Sequence, residues 1–118
     1  MDTEDRRRGV AGKTSMDGYT KSILKIDLTR GSIEREPLDP ALARRFLGGN
    51  GFAAKFIHDL VPCTANPLSE QNIVVFATGP LTGSPVWGSG RGHLASISPQ
   101  TGMFCDSNLM PSQKVQVQ

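Results

Sequence analysis

The chain has 118 residues, enough for one domain with a modest core. Its 37% hydrophobic content suits a folded unit, and its net charge of +2 is too small for the basic face that nucleic-acid binding needs. No apolar stretch approaches the ~20 residues of a membrane-spanning helix.

Residues 1–18 set Arg6, Arg7, Arg8 and Lys13 against Asp2, Glu4, Asp5 and Asp17, so their charges cancel. This polar, charge-mixed stretch reads as a mobile leader. The arginine triplet invites an export reading, but no apolar run follows it, and the expected location is the cytoplasm. Cys63 and Cys105 form neither a C-x-x-C pair nor a tetrahedral metal set, and read as reduced structural thiols.

Order is expected from Tyr19. Leu24-Lys25-Ile26-Asp27-Leu28 alternates apolar and charged residues, the mark of a half-buried strand. Thr29–Ser32 supplies a turn, with Gly31 suited to positive φ, and Ile33–Glu36 returns as the second strand of a hairpin. Asp39 then fits a helix N-cap and Pro40 the first helical position. Leu42, Phe46 and Leu47 give that helix an apolar face, and Gly48-Gly49 ends it. Phe52, Phe56, Ile57 and Leu60 recur at helical spacing from Asn50 or Gly51 until Pro62, a stripe that reads as core.

Cys63–Gln71 is a polar loop. Asn72–Ala77 is expected to be a fully buried strand, being rich in β-branched residues. A glycine-rich run follows, through Gly92. His93–Ile97 suggests another strand, Ser98–Gly102 a turn, and Met103-Phe104-Cys105 a short strand leading to Asp106-Ser107-Asn108. Asp106 reads as a turn carboxylate or N-cap rather than a metal ligand. Residues 111–118 are mostly polar and give no core signal.

The glycine run carries the chemistry. Between Lys55 and Lys114 the only lysine or arginine is Arg91, which follows Gly88-Ser89-Gly90. Alternating glycines let a ligand approach the backbone, successive N–H groups can form an anion-binding nest, and a guanidinium matches phosphate oxygens. The named nucleotide templates do not fit. A P-loop needs Gly-Lys-Ser/Thr, and the dinucleotide fingerprint needs one more residue and a following helix. Anion binding and a structural loop with a solvated arginine both stay open on the residues alone. His58 reads as a surface histidine beside Asp59; His93 is close enough in sequence to Arg91 to share its ligand, though strand packing serves it equally well. No nucleophile–base pair or paired carboxylates stand out.

Six segments occur in a telling order: Phe46–Lys55 (FLGGNGFAAK), Asn66–Ser69 (NPLS), Phe76–Gly83 (FATGPLTG), Gly88–Arg91 (GSGR), Ser98–Gly102 (SPQTG) and Asp106–Asn108 (DSN). The series resembles the N-terminal domain of the tungsten-containing aldehyde ferredoxin oxidoreductases, from about Tyr19 to Asn108. The resemblance implies an α+β fold: a β-rich cofactor-binding domain, incomplete, with two short helices. It divides the chain into a leader (1–18), a partial domain (19–110) and an unmatched tail (111–118). It implies a bis-pyranopterin cofactor of tungsten or molybdenum with a bridging magnesium. Arg91 matches the arginine that contacts the pterin phosphates, and Asn108 the asparagine that supports the magnesium bridge. Met110 stands where the family has a glycine-containing turn touching the pterin, so that contact is in question.

The family oxidises aldehydes to carboxylic acids and passes electrons through a [4Fe–4S] cluster to ferredoxin. The cluster ligands and acid–base residues belong to later segments not found in this sequence. The resemblance therefore implies a cofactor-binding portion with no catalytic residue of its own. Its implied partners are ferredoxin, an aldehyde and a separately encoded remainder, with no membrane or nucleic acid. A non-catalytic binding or assembly module, or a non-functional fragment, is the alternative.

Overall fold

The computed structural model describes residues 17–109; Met110, the last residue of the expected partial domain, and the expected tail (111–118) lie outside them, as do residues 1–16 of the expected leader. The described chain forms an antiparallel hairpin, two helices and a three-stranded antiparallel sheet, an α+β arrangement.

The hairpin joins β1 (Ser22–Asp27) to β2 (Ser32–Pro37), with Ile26 opposite Ile33. Asp27 fixes the turn: its carboxylate accepts the N–H groups of Thr29 (2.9 Å) and Arg30 (3.2 Å), and Gly31 takes φ +65°. Lys25 reaches diagonally across the pair to Glu36 at 2.7 Å.

Helix α1 (Pro40–Phe46) starts as its sequence predicts. Asp39 is the N-cap, its carboxylate accepts the Ala41 N–H at 2.9 Å, and Pro40 opens the helix. The end differs from expectation. Leu47 lies past the last turn, at φ +62° and 64% exposed, instead of completing the apolar face. The reversal through Gly48 and Gly49 sets this stop. A Cβ on Gly48 would sit 2.9 Å from the Thr78 carbonyl oxygen, so only glycine lets the junction press against the sheet.

Helix α2 (Asn50–Leu60) follows at once, with Gly49 as its N-cap and Val61 closing it onto the Ile57 carbonyl. The sheet contains β3 (Val75–Thr78), β4 (Gly92–Ile97) and β5 (Phe104–Leu109), in the order β3-β4-β5. Ala53 and Ile57 of α2 pack on Ala95 of β4, ringed by Val61, Ile73, Val75 and Ile97. A second cluster joins Leu38, Ala43 and Phe52, with Tyr19, Ile23, Phe46, Phe56 and Ala77 against it.

Two expectations need correction. The stretch Asn72–Ala77 is not a fully buried strand: only Val75–Thr78 pairs, and Val74 and Phe76 are 61% and 74% exposed. The reason is position. β3 is an edge strand, and α2 covers one face only, so alternate side chains turn outward. Asp106 is not in a turn either. β5 runs through it, opposite Ala95, because the Ser98–Gly102 turn returns the chain in register with all of β4.

Candidate functional site

The strand registers gather the residues of interest at one end of the sheet. Gly92, the first residue of β4, pairs with Thr78 at the end of β3 and with Leu109 at the end of β5. Arg91 therefore leaves the loop where β3 ends, and Asn108 stands one residue from the end of β5, opposite His93. Helix α2 points its N-terminus at the same place: the Gly49 N–H donates to the Thr78 carbonyl at 2.9 Å. That terminus and Arg91 make this end electropositive.

The glycine loop is internally tied. The Thr82 hydroxyl donates to the Arg91 carbonyl at 3.0 Å and accepts the Gly79 N–H at 3.1 Å, clasping the two ends. Higher up, the Ser89 hydroxyl donates to the Ser84 carbonyl at 3.0 Å, and the Arg91 N–H donates to the Ser89 carbonyl at 2.9 Å. These bonds hold the backbone of Arg91, whereas its exposed side chain makes no hydrogen bond or ion pair with the described residues. A Cβ built on Gly88 or Gly90 would meet nothing within 4 Å, so both present open backbone.

A polar cluster lies beneath, and the sequence did not reveal it. α2 has no side-chain cap and no acidic residue in its first turn. Asp106 supplies a carboxylate from β5 instead: Asn50 Nδ2 donates to its Oδ2 at 3.3 Å, and His93 Nδ1 lies 3.8 Å from the same oxygen. The latter distance is a contact rather than a hydrogen bond. His93 Nδ1 and Asn50 Oδ1 are both buried without a hydrogen-bond partner. The His93 ring is held under the helix start, since a Cβ on Gly49 would come within 3.0 Å of its Cδ2. Asp106 and Asn108 share a sheet face with Ala95 and His93, the face that α2 covers. The available clue was a helix start with neither cap nor acid, a gap that another element can fill.

The other candidates fall elsewhere. His58 is a surface residue, 85% exposed, and contacts Asp59. The Lys55 ammonium and His58 both hydrogen-bond the Asp59 carboxylate, and these bonds hold its pKa below the ordinary 3.8. Cys63 and Cys105 are free and exposed, and the described residues contain no group of three or more His, Cys, Asp or Glu that could hold a metal ion. No helix among them is long and apolar enough to cross a membrane.

The site's donors fit a phosphate-bearing group on their own chemistry: an unengaged guanidinium, open glycine backbone and a helix start whose one nearby carboxylate is already engaged. The family model for the aldehyde ferredoxin oxidoreductase N-terminal domain matches residues 23–113. The chain belongs to the aldehyde ferredoxin oxidoreductase family. Within that family it is 37% identical over 93 residues to a tungsten-containing aldehyde ferredoxin oxidoreductase of Pyrococcus abyssi, covering 79% of this chain. It is 31% identical over 71 residues to the WOR-like subunit of an aliphatic sulfonate oxidoreductase of Pyrococcus furiosus, covering 58% of this chain and 11% of that one. In structure it resembles the active-site complex BamBC of benzoyl coenzyme A reductase, solved with 1,5-dienoyl-CoA. The TM-score is 0.75 and the identity 41%, over 77% of this chain and 14% of that one. The chain spans 15% of the length of the Pyrococcus abyssi relative.

Proposed function

We infer that this aldehyde ferredoxin oxidoreductase domain binds the phosphate end of a pyranopterin cofactor. The observation that carries the reading is the register placing Arg91, Asn108 and the α2 N-terminus at one sheet end. Arg91 would clamp phosphate oxygens through its guanidinium, and Asn108 would support a magnesium ion bridging the phosphates. Tungsten, or molybdenum in its place, would supply the redox chemistry when bound. This chain's residues hold the group and balance its charge.

The whole assembly would oxidise an aldehyde to a carboxylic acid and deliver electrons through a [4Fe–4S] cluster to ferredoxin, in the cytoplasm. The names of the tungsten-containing relatives support the tungsten, the aldehyde and the ferredoxin of that reading. The chain by itself would not turn over, since it spans so small a share of them.

The test is calorimetric titration of the purified chain with magnesium pyrophosphate. Wild type should bind, and Arg91→Ala should weaken binding at least about tenfold, the loss of one strong charge-assisted contact. Equal affinity in both would overturn the Arg91 assignment. Aldehyde-dependent dye reduction by the purified chain, with tungsten and iron present, would overturn the claim that it is inactive alone.

A further inference from the structure

Trp87 stands at the tip of the glycine loop, fully exposed at 101%, with Val86 beside it and Leu81 nearby at 52% and 58%. It is the chain's only tryptophan, and no charged residue occurs between Gln71 and Gly90. A large indole in water is unfavourable, and a loop serving as a solvated connector has no use for one. The tip is also built. The Val86 N–H donates to the Ser84 hydroxyl at 3.3 Å, the Ser89 N–H to the Val86 carbonyl at 3.2 Å, and Gly88 adopts φ +78° to turn the chain. With the Ser89–Ser84 and Thr82–Arg91 bonds, Trp87 is presented on a preorganised loop. An aromatic anchor whose ordering is already complete, in a segment without charge, has the composition of an interface centre.

We propose that Val86–Trp87 is the anchor by which this domain docks on an apolar pocket of the polypeptide that its relatives carry beyond it. Two observations choose that occupant. The chain spans 15% of the Pyrococcus abyssi relative, so there the matching segment belongs to a much longer chain. β5 ends at Leu109, paired with Gly92 at the base of the same loop, so polypeptide continuing from β5 begins within reach of it. The proposal rests on the reading that the domain works within a larger family assembly, and it adds the surface that joins the two parts. Because the Thr82 clasp ties the loop to Arg91, the docked tip also fixes the backbone from which the guanidinium extends.

The test is co-expression of the tagged 118-residue chain with the Pyrococcus abyssi enzyme lacking its matched segment. The wild-type chain should retain that partner in equal amount. Trp87→Ala should lower retention at least about tenfold, as truncation of a central aromatic anchor does, and Trp87→Phe should recover part of it. Trp87→Ala should leave the magnesium pyrophosphate affinity of the purified chain unchanged, which separates docking from phosphate binding. Replacing the single tryptophan by 5-fluorotryptophan gives one fluorine resonance, whose H2O/D2O solvent shift should vanish in the complex. Undiminished capture by Trp87→Ala, a solvent shift that persists in the complex, or no capture of the partner would each overturn the proposal.

Discussion

Two side chains carry more of the architecture than their residue types suggest. Asn72 donates to the carbonyls of Pro67 (2.9 Å) and Ile97 (3.0 Å), and its Oδ1 accepts the N–H of Ile73 (3.0 Å) and the hydroxyl of Ser96 (3.3 Å). It thus stands in for ladder bonds where β3 has not yet begun. Asn72→Ala should destabilise the fold by about 2 kcal/mol, since several partly buried groups lose their partner together; urea unfolding checks this. Asp106 plays a comparable part for α2. Asp106→Ala should cost about 1 kcal/mol, the scale of a carboxylate near a helix start. Asp106→Asn should keep the Asn50 contact and restore part of the loss. If both variants match wild type, the carboxylate does not serve the helix.

Among the elements, α2 joins the two core clusters, with Phe52 in one and Ala53 and Ile57 in the other. Ile57→Ala should destabilise by about 2–4 kcal/mol, because a 4%-exposed aliphatic side chain leaves a cavity between helix and sheet. The outer face of α2 titrates. The Lys55 and His58 hydrogen bonds depress the Asp59 pKa, so the folded state binds this proton less readily than the unfolded chain. The resulting stabilisation is present above pH 3.8 and is lost as the pH falls through the lower, folded value. The stability gap between wild type and Asp59→Asn should close over that acidic range; urea midpoints at successive pH values show it. The hairpin pairing, the Asp39-Pro40 start and the Phe52–Ile57 part of the α2 stripe were legible in the sequence because each is written in residues a few positions apart. The expected burial of Leu24, Ile26 and Leu60 was wrong: all three are more than half exposed, because no element lies over them. The exposure of Phe76 and the strand placement of Asp106 were not, because each depends on which distant strand or helix lies alongside. At the candidate site, Arg91 and Asn108 were legible from the family series, whereas the Asn50–Asp106–His93 cluster needed the register.

On the scale of the molecule, apolar side chains remain on the sheet surface that α2 leaves uncovered. Phe76 is exposed on edge strand β3, and Leu109 is 40% exposed at the end of β5. An open edge with an apolar outer face is a template for association. The isolated chain should self-associate as its concentration rises, and Phe76→Lys should shift it toward monomer without altering its circular dichroism; sedimentation velocity measures both. The hairpin stands apart from that sheet. Among the described strands β1 and β2 pair only with each other, and Ile23 is the strand residue of the hairpin packed against the Leu38–Ala43–Phe52 cluster. So slender an attachment lets the hairpin open as a unit of its own while β4, held on both sides, stays closed. Backbone amides of Lys25 and Glu34, which bond each other across the pair, would then trade their hydrogens for deuterium long before those of Leu94 and Ala95, and the turn at Thr29–Gly31 would be an early target for a protease.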